Sequence, residues 1–134
     1  MAKIVDIEGI GPIYANKLVE AGVRTTGALL KAGATPKGRQ ALVEKTGIAH
    51  ALILEWVNLA DLFRIKGVGE EYSDLLEEAG VDTVKELAQR NADNLYTKIV
   101  EVNASKELVR KLPSSKQVAD WVAQAKALPR AVEY

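Results

Sequence analysis

Ile7 to Leu30 read IEGIGPIYANKLVEAGVRTTGALL, and Ile65 to Ala88 read IKGVGEEYSDLLEEAGVDTVKELA. Set 58 positions apart, the two stretches agree at 11 of 24 residues, among them Gly9/Gly67, Gly11/Gly69, Tyr14/Tyr72, Ala21/Ala79, Gly22/Gly80 and Thr25/Thr83. Glycine recurs where a backbone turns, and apolar residues recur where a helix has a face to cover. The repeated phrase is therefore a turn followed by a helix, a stop and a second cap. A duplicated unit of this kind suits binding better than catalysis.

Working outward, each segment between turns carries helical punctuation. Pro12 stands where a first helical residue belongs, since its missing N–H removes no bond there. Gly22 and Gly80 read as left-handed helix stops. Thr25 or Thr26 caps a short helix through Leu29 and Leu30. Thr35-Pro36 opens another through Leu42 and Val43 that stops at Gly47. Ala49 to Phe63 is the longest apolar-periodic stretch and leads into the second turn. Past the second copy, Thr83-x-x-Glu86 and Ser114-x-x-Gln117 read as capping boxes. Asn91 or Asp93 starts a helix through Leu95 and Ile99. Asn103 and Ser105 then predict a break and a fresh cap before Leu108 and Val109. Trp56 and Trp121 lie in similar apolar contexts but 65 apart, which places about seven extra residues near Val102 to Pro113.

No segment alternates like a strand, so the expected fold is all-α. We expect one domain over 1–134, with related halves at 5–60 and 61–128 and a tail at 129–134. The tail either docks on the body or a neighbour, or stays disordered. A chain of 134 residues with 48% hydrophobic residues supports one core. Aromatics are only 5%, so that core rests on Leu, Val, Ile and Ala, with Trp56 and Trp121 inside it.

Eighteen basic residues balance eighteen acidic ones, so the basic excess of a dedicated nucleic-acid binder is missing. With no cysteine there is neither a thiolate metal site nor a cysteine nucleophile. His50 is the single histidine and has no clustered ligand beside it, and no Walker-type loop follows either glycine pair. No cofactor, metal or catalytic residue is expected. No stretch has the length or apolarity of a membrane span or signal sequence, which predicts a cytoplasmic protein without membrane contact.

Gly9-Ile10-Gly11 and Gly67-Val68-Gly69, each followed four places on by a small residue (Ala15, Ser73), resemble the helix-hairpin-helix motif. TPKGRQALVEKTGI, LILEWVNLADLFRIKGVGEEY and DTVKELAQRN extend the likeness to a stand-alone bacterial family of tandem helix-hairpin-helix proteins, itself a domain of unknown function. The resemblance implies two hairpin halves, each carrying further helices. It also implies an anion site at the second helix of each hairpin, where free N–H groups and the helix dipole meet a nucleic-acid phosphate.

The charges depart from that pattern. DNA-binding helix-hairpin-helix proteins in general commonly place Lys or Arg just after the second glycine, whereas Pro12 and Ile13 follow the first hairpin here, and Glu70 and Glu71 the second. Val5 to Ala21 carries a net charge of minus two, and Ile65 to Ala79 minus four. Each like-charge approach within a few ångströms costs about 1 kcal/mol in water. Gly9, Ile10, Gly11 and Lys17 thus form the phosphate-binding candidate, and Gly67, Val68 and Gly69 a structural turn. Arg24, Lys31, Lys37, Arg39 and Lys45, with Glu44 alone opposing them, make a basic surface candidate; Lys106, Arg110, Lys111 and Lys116 form a looser second group. Two functions fit. The first is a non-catalytic protein-interaction or scaffold module with an unidentified protein partner or self-association. The second is weak, sequence-independent binding of a DNA or RNA backbone through the first hairpin.

Overall fold

The computed structural model describes residues 2–134. The described residues are all-α, with eight α-helices: α1 (Pro12–Glu20), α2 (Thr26–Ala32), α3 (Pro36–Thr46), α4 (His50–Leu62), α5 (Glu70–Glu78), α6 (Val84–Ala88), α7 (Ala92–Lys106) and α8 (Ser115–Ala127). A 3-10 turn at Ile4–Asp6 precedes them. The only strand-like pairing among the described residues is an isolated antiparallel bridge between Lys3 and Thr25. No described helix is long and apolar enough to cross a membrane. The chain parts into two compact units, Met1–Asp61 with Arg130–Tyr134, and Leu62–Pro129.

Local chemistry sets most boundaries. Side-chain oxygens of Thr25, Thr35, Thr83, Asn91 and Ser114 accept from backbone N–H groups three residues on, opening α2, α3, α6, α7 and α8. At Ser114 the box closes fully, because the Ser114 N–H donates to Gln117 Oε1 at 2.8 Å. At Thr83 only the first half forms: Glu86 Oε1 faces the Thr83 hydroxyl instead of its N–H. α1 and α5 differ from all of these, starting at Gly11 and Gly69 with no side-chain acceptor.

Both repeats stop their helix in one way. Val23 N–H donates to Leu18 O (2.8 Å) and Gly22 N–H to Val19 O (2.9 Å), with Gly22 at φ +89°. Val81 N–H donates to Leu76 O (2.9 Å) and Gly80 N–H to Glu77 O (3.0 Å), with Gly80 at φ +93°. This 6→1 and 5→2 pairing is the Schellman stop, and the accompanying apolar pair, Leu18 with Val23 and Leu76 with Val81, is buried each time.

In the first unit α2 packs on α3 and on the N-terminal 3-10 turn. Ile7, Leu18, Leu29, Ile48, Ile53 and Trp56 form its most buried layer. In the second unit α8 packs on α6 and α7, and α5 on α7, enclosing Leu75, Leu76, Leu87, Leu95, Ile99 and Trp121. Both tryptophans are core residues, as the apolar spacing predicts.

The expected helix at Leu108 and Val109 does not form. α7 runs on through Asn103 and Ser105 to Lys106. It ends at Glu107, the one non-glycine with positive φ (+49°) among the described residues. Asn103 continues the helix because its amide finds a partner beyond it: Val109 N–H donates to Asn103 Oδ1 (2.9 Å) and Asn103 Nδ2 donates to Val109 O (3.1 Å). That two-point clasp holds residues 107–113 as an irregular loop. The seven-residue offset between the tryptophans follows. α7 has 15 residues where α3 has 11, the loop after it is longer, and α6 is two residues shorter than α2. Trp56 and Trp121 then stand at the same place in α4 and α8.

Candidate functional site

Each glycine turn is closed by one backbone bond, from Ile10 N–H to Ile7 O at 3.2 Å and from Val68 N–H to Ile65 O at 3.1 Å. Gly9 (φ +91°) and Gly67 (φ +94°) take the left-handed position that a type II turn requires. Beneath each turn lies an indole. A Cβ placed on Gly9 would sit 3.4 Å from Trp56 Nε1, and one on Gly67 only 3.2 Å from Trp121 Nε1. Tyr14 leans on Trp56 with ring centroids 5.1 Å apart and planes at 59°; Tyr72 leans on Trp121 at 5.3 Å and 50°. Such tilted aromatic pairs add roughly 0.5–1.5 kcal/mol beyond the area they bury. The middle residues Ile10 and Val68 are buried. So are Ala15 and Ser73, whose small side chains suit close packing.

The second glycines face the other way. Around a Cβ on Gly11 or Gly69 there is no atom within 4 Å. Each begins its helix, with Ala15 N–H donating to Gly11 O (2.9 Å) and Ser73 N–H to Gly69 O (2.8 Å). What flanks these open helix starts differs between the copies. On α1, Ile13 is 73% exposed beside Pro12. On α5, Glu70 and Glu71 are both exposed in the first turn. Lys17 lies farther along α1, on the rim of a shallow depression shared with Glu20, Ala21, Lys45 and Thr46.

One member of the basic group is not on the surface. Arg24, Lys31, Lys37 and Lys45 are exposed, but Arg39 is buried at 3% exposure. This corrects its assignment as a surface cation. Its Nη1 donates to Gly33 O (2.9 Å) and its Nη2 to Glu133 O (2.8 Å); its guanidinium carbon lies 5.7 Å from the Tyr134 ring centre. Two charge-assisted bonds to carbonyls let the cation leave water. In the looser group, Lys106 pairs with Glu78.

Oxygens of Asp74, Glu77 and Glu78 lie within 4.8 Å of one another. They share one face of α5 by their i, i+3, i+4 spacing. With Glu78 held by Lys106, this cluster reads as an ion-paired helix surface. His50 is exposed at the first position of α4.

Two features were beyond sequence reasoning. One is the seating of each turn glycine on a tryptophan some 50 residues away, for which the repeated contexts of Trp56 and Trp121 were the sole signal. The other is the set of partners that anchors residues 130–134, whose docking was one of the two expected outcomes. Val132 is buried, Glu133 N–H donates to Ala34 O (2.7 Å), and Tyr134 Oη donates to Asn58 Oδ1 (2.7 Å).

Residues 8–128 match the family described as Domain of unknown function (DUF4332). The chain belongs to that family. No curated protein and no solved structure matches it.

Proposed function

We propose that this DUF4332 member is a tandem helix-hairpin-helix protein that works as a non-catalytic protein-interaction or scaffold module, its hairpins serving as structural joints. The observation that carries the reading is the seating of Gly9 on Trp56 and Gly67 on Trp121, with Ile10 and Val68 buried. Those residues face inward, where they join core elements, and are spent on packing.

The flanks of the open helix starts point the same way. A phosphate approaching Gly69 would meet Glu70 and Glu71, each opposing it by about 1 kcal/mol at a few ångströms in water. One approaching Gly11 would meet Ile13, an exposed apolar side chain of the sort that favours protein contact over a solvated phosphate. Helix dipoles alone give a backbone-binding term of similar size, so the carboxylates cancel it at the second hairpin.

The competing reading, sequence-independent contact with a DNA or RNA backbone, draws on the uncapped start of α1 and the exposed Arg24, Lys31, Lys37 and Lys45. A mobility-shift titration separates the two. With mixed-sequence duplex and single strand at about 50 mM salt, no shift is expected up to tens of micromolar protein. A shift that fades steeply as salt rises would overturn the interaction-module reading in favour of backbone binding. The positive arm is sedimentation of the pure chain together with crosslinking in a native extract. A strictly monomeric chain that crosslinks to no specific protein would count against it.

A further inference from the structure

Arg39, Gly33, Ala34 and Asn58 make up a slot in the first unit, and the segment Arg130–Tyr134 fills it. Glu133 is held by both of its main-chain groups. Its N–H donates to Ala34 O at 2.7 Å and its carbonyl accepts from Arg39 Nη2 at 2.8 Å. The flanking side chains supply selectivity. Val132 is 3% exposed, and Tyr134 donates its hydroxyl to Asn58 Oδ1 while its ring meets the Arg39 guanidinium. Arg130 Nε donates to Val132 O (2.8 Å) and shapes the segment from within.

Part of the slot is held by contacts that do not involve the segment. Arg39 is anchored to Gly33 O by its other terminal nitrogen. Gly33 itself has no room for a side chain, since a Cβ there would fall 2.4 Å from Val57 Cγ2 and 3.5 Å from Arg39 Cγ. The segment, by contrast, has no regular secondary structure, and Tyr134 is 59% exposed. A slot walled by a buried cation therefore holds a short irregular segment at three consecutive residues. This is peptide recognition by main-chain bonds with side-chain selectivity. The strap, residues 130–134, lies outside the helices.

We propose that this slot is a recognition site for an extended Val-x-Tyr segment, filled by residues 130–134 of the same chain and, when the strap lifts, by the same segment of a second copy. The occupant follows from fit: the one segment whose complementarity to the slot is displayed belongs to this chain. Exchange between two copies repeats every contact and adds none, so it is favoured only at high concentration, against the local concentration of the attached strap. The proposal extends the interaction-module reading by naming a surface and a partner. It stands or falls separately, because its test reads binding of the isolated segment and the effect of Val132→Asp on that binding.

The test lifts the strap without touching the slot. Full-length protein carrying Val132→Asp is titrated into a fluorescent, amidated peptide of sequence LPRAVEY, and anisotropy is followed. Saturable binding is expected to the Val132→Asp chain, at least about tenfold weaker apparent binding to the parent chain, whose slot is occupied, and none for the peptide with Asp in place of its valine. Sedimentation of the parent at high concentration should reveal dimer that Val132→Asp cannot form. Failure of the peptide to saturate the Val132→Asp chain, or equal binding to both chains, overturns the proposal. So does dimer that persists in Val132→Asp. If that variant loses its native circular dichroism, Val132→Ala replaces it in every measurement, with the same results expected and the same results overturning the proposal.

Discussion

Replacing Gly67 by alanine tests whether the glycine turns are structural joints. At φ +94° an L-residue pays about 1–2 kcal/mol for the left-handed conformation. The new Cβ would lie 3.2 Å from Trp121 Nε1, and that indole, 1% exposed under Tyr72, has little freedom to retreat. Overpacking of this kind adds about 1 kcal/mol. The lower entropy of alanine in the unfolded chain returns roughly 0.5 kcal/mol. The expected net loss is about 2 kcal/mol. The matched control is Gly11→Ala, where φ is −82° and the surrounding space is open; it should change stability by less than about 0.5 kcal/mol. Urea unfolding followed by far-ultraviolet circular dichroism reads both. With a slope near 2 kcal/mol per molar, Gly67→Ala lowers the midpoint by about 1 M. A Gly67→Ala midpoint within experimental error of the parent, or an equal loss in Gly11→Ala, would refute the claim that packing on tryptophan is what fixes the first glycine of each turn.

Three further outcomes follow from particular contacts. Glu107→Gly relieves a non-glycine left-handed C-cap at φ +49° on an exposed position and should stabilise the fold by about 1 kcal/mol, seen as a raised urea midpoint. Asn103→Leu removes both ends of the Val109 clasp and should cost about 1–2 kcal/mol, with the Val109 amide losing hydrogen-exchange protection before the rest of α7. Arg39→Met deletes two charge-assisted bonds to carbonyls and should cost about 3 kcal/mol; the Glu133 amide should then exchange freely, and unchanged protection there would contradict the anchoring described above.

What the sequence settled by itself is what short-range chemistry decides. A threonine or serine three residues before a free N–H, a proline at a first helical position and a glycine at a left-handed stop act within one turn of chain. They mark α1, α2, α3, α5, α6 and α8 almost wherever they occur here. The all-α class and the repeated turn-helix unit were legible on the same ground, and the tryptophans by their apolar spacing. Asn103 shows where such reading ends. Its type signals a helix break, but its amide reaches six residues on to Val109 and the helix continues.

Arg39 shows it more fully. In sequence it is one of five cations between Val23 and Thr46, indistinguishable from Lys37 or Lys45. Only the return of Glu133, 94 residues later, gives it the carbonyl that permits burial. The seating of Gly9 on Trp56 and Gly67 on Trp121 is of the same kind. A glycine announces that the chain turns, and only the packed fold says against what. Local bonds are specified by neighbours along the chain; burial of a charge, a close backbone approach and a docked strap depend on partners that the folded chain alone brings together.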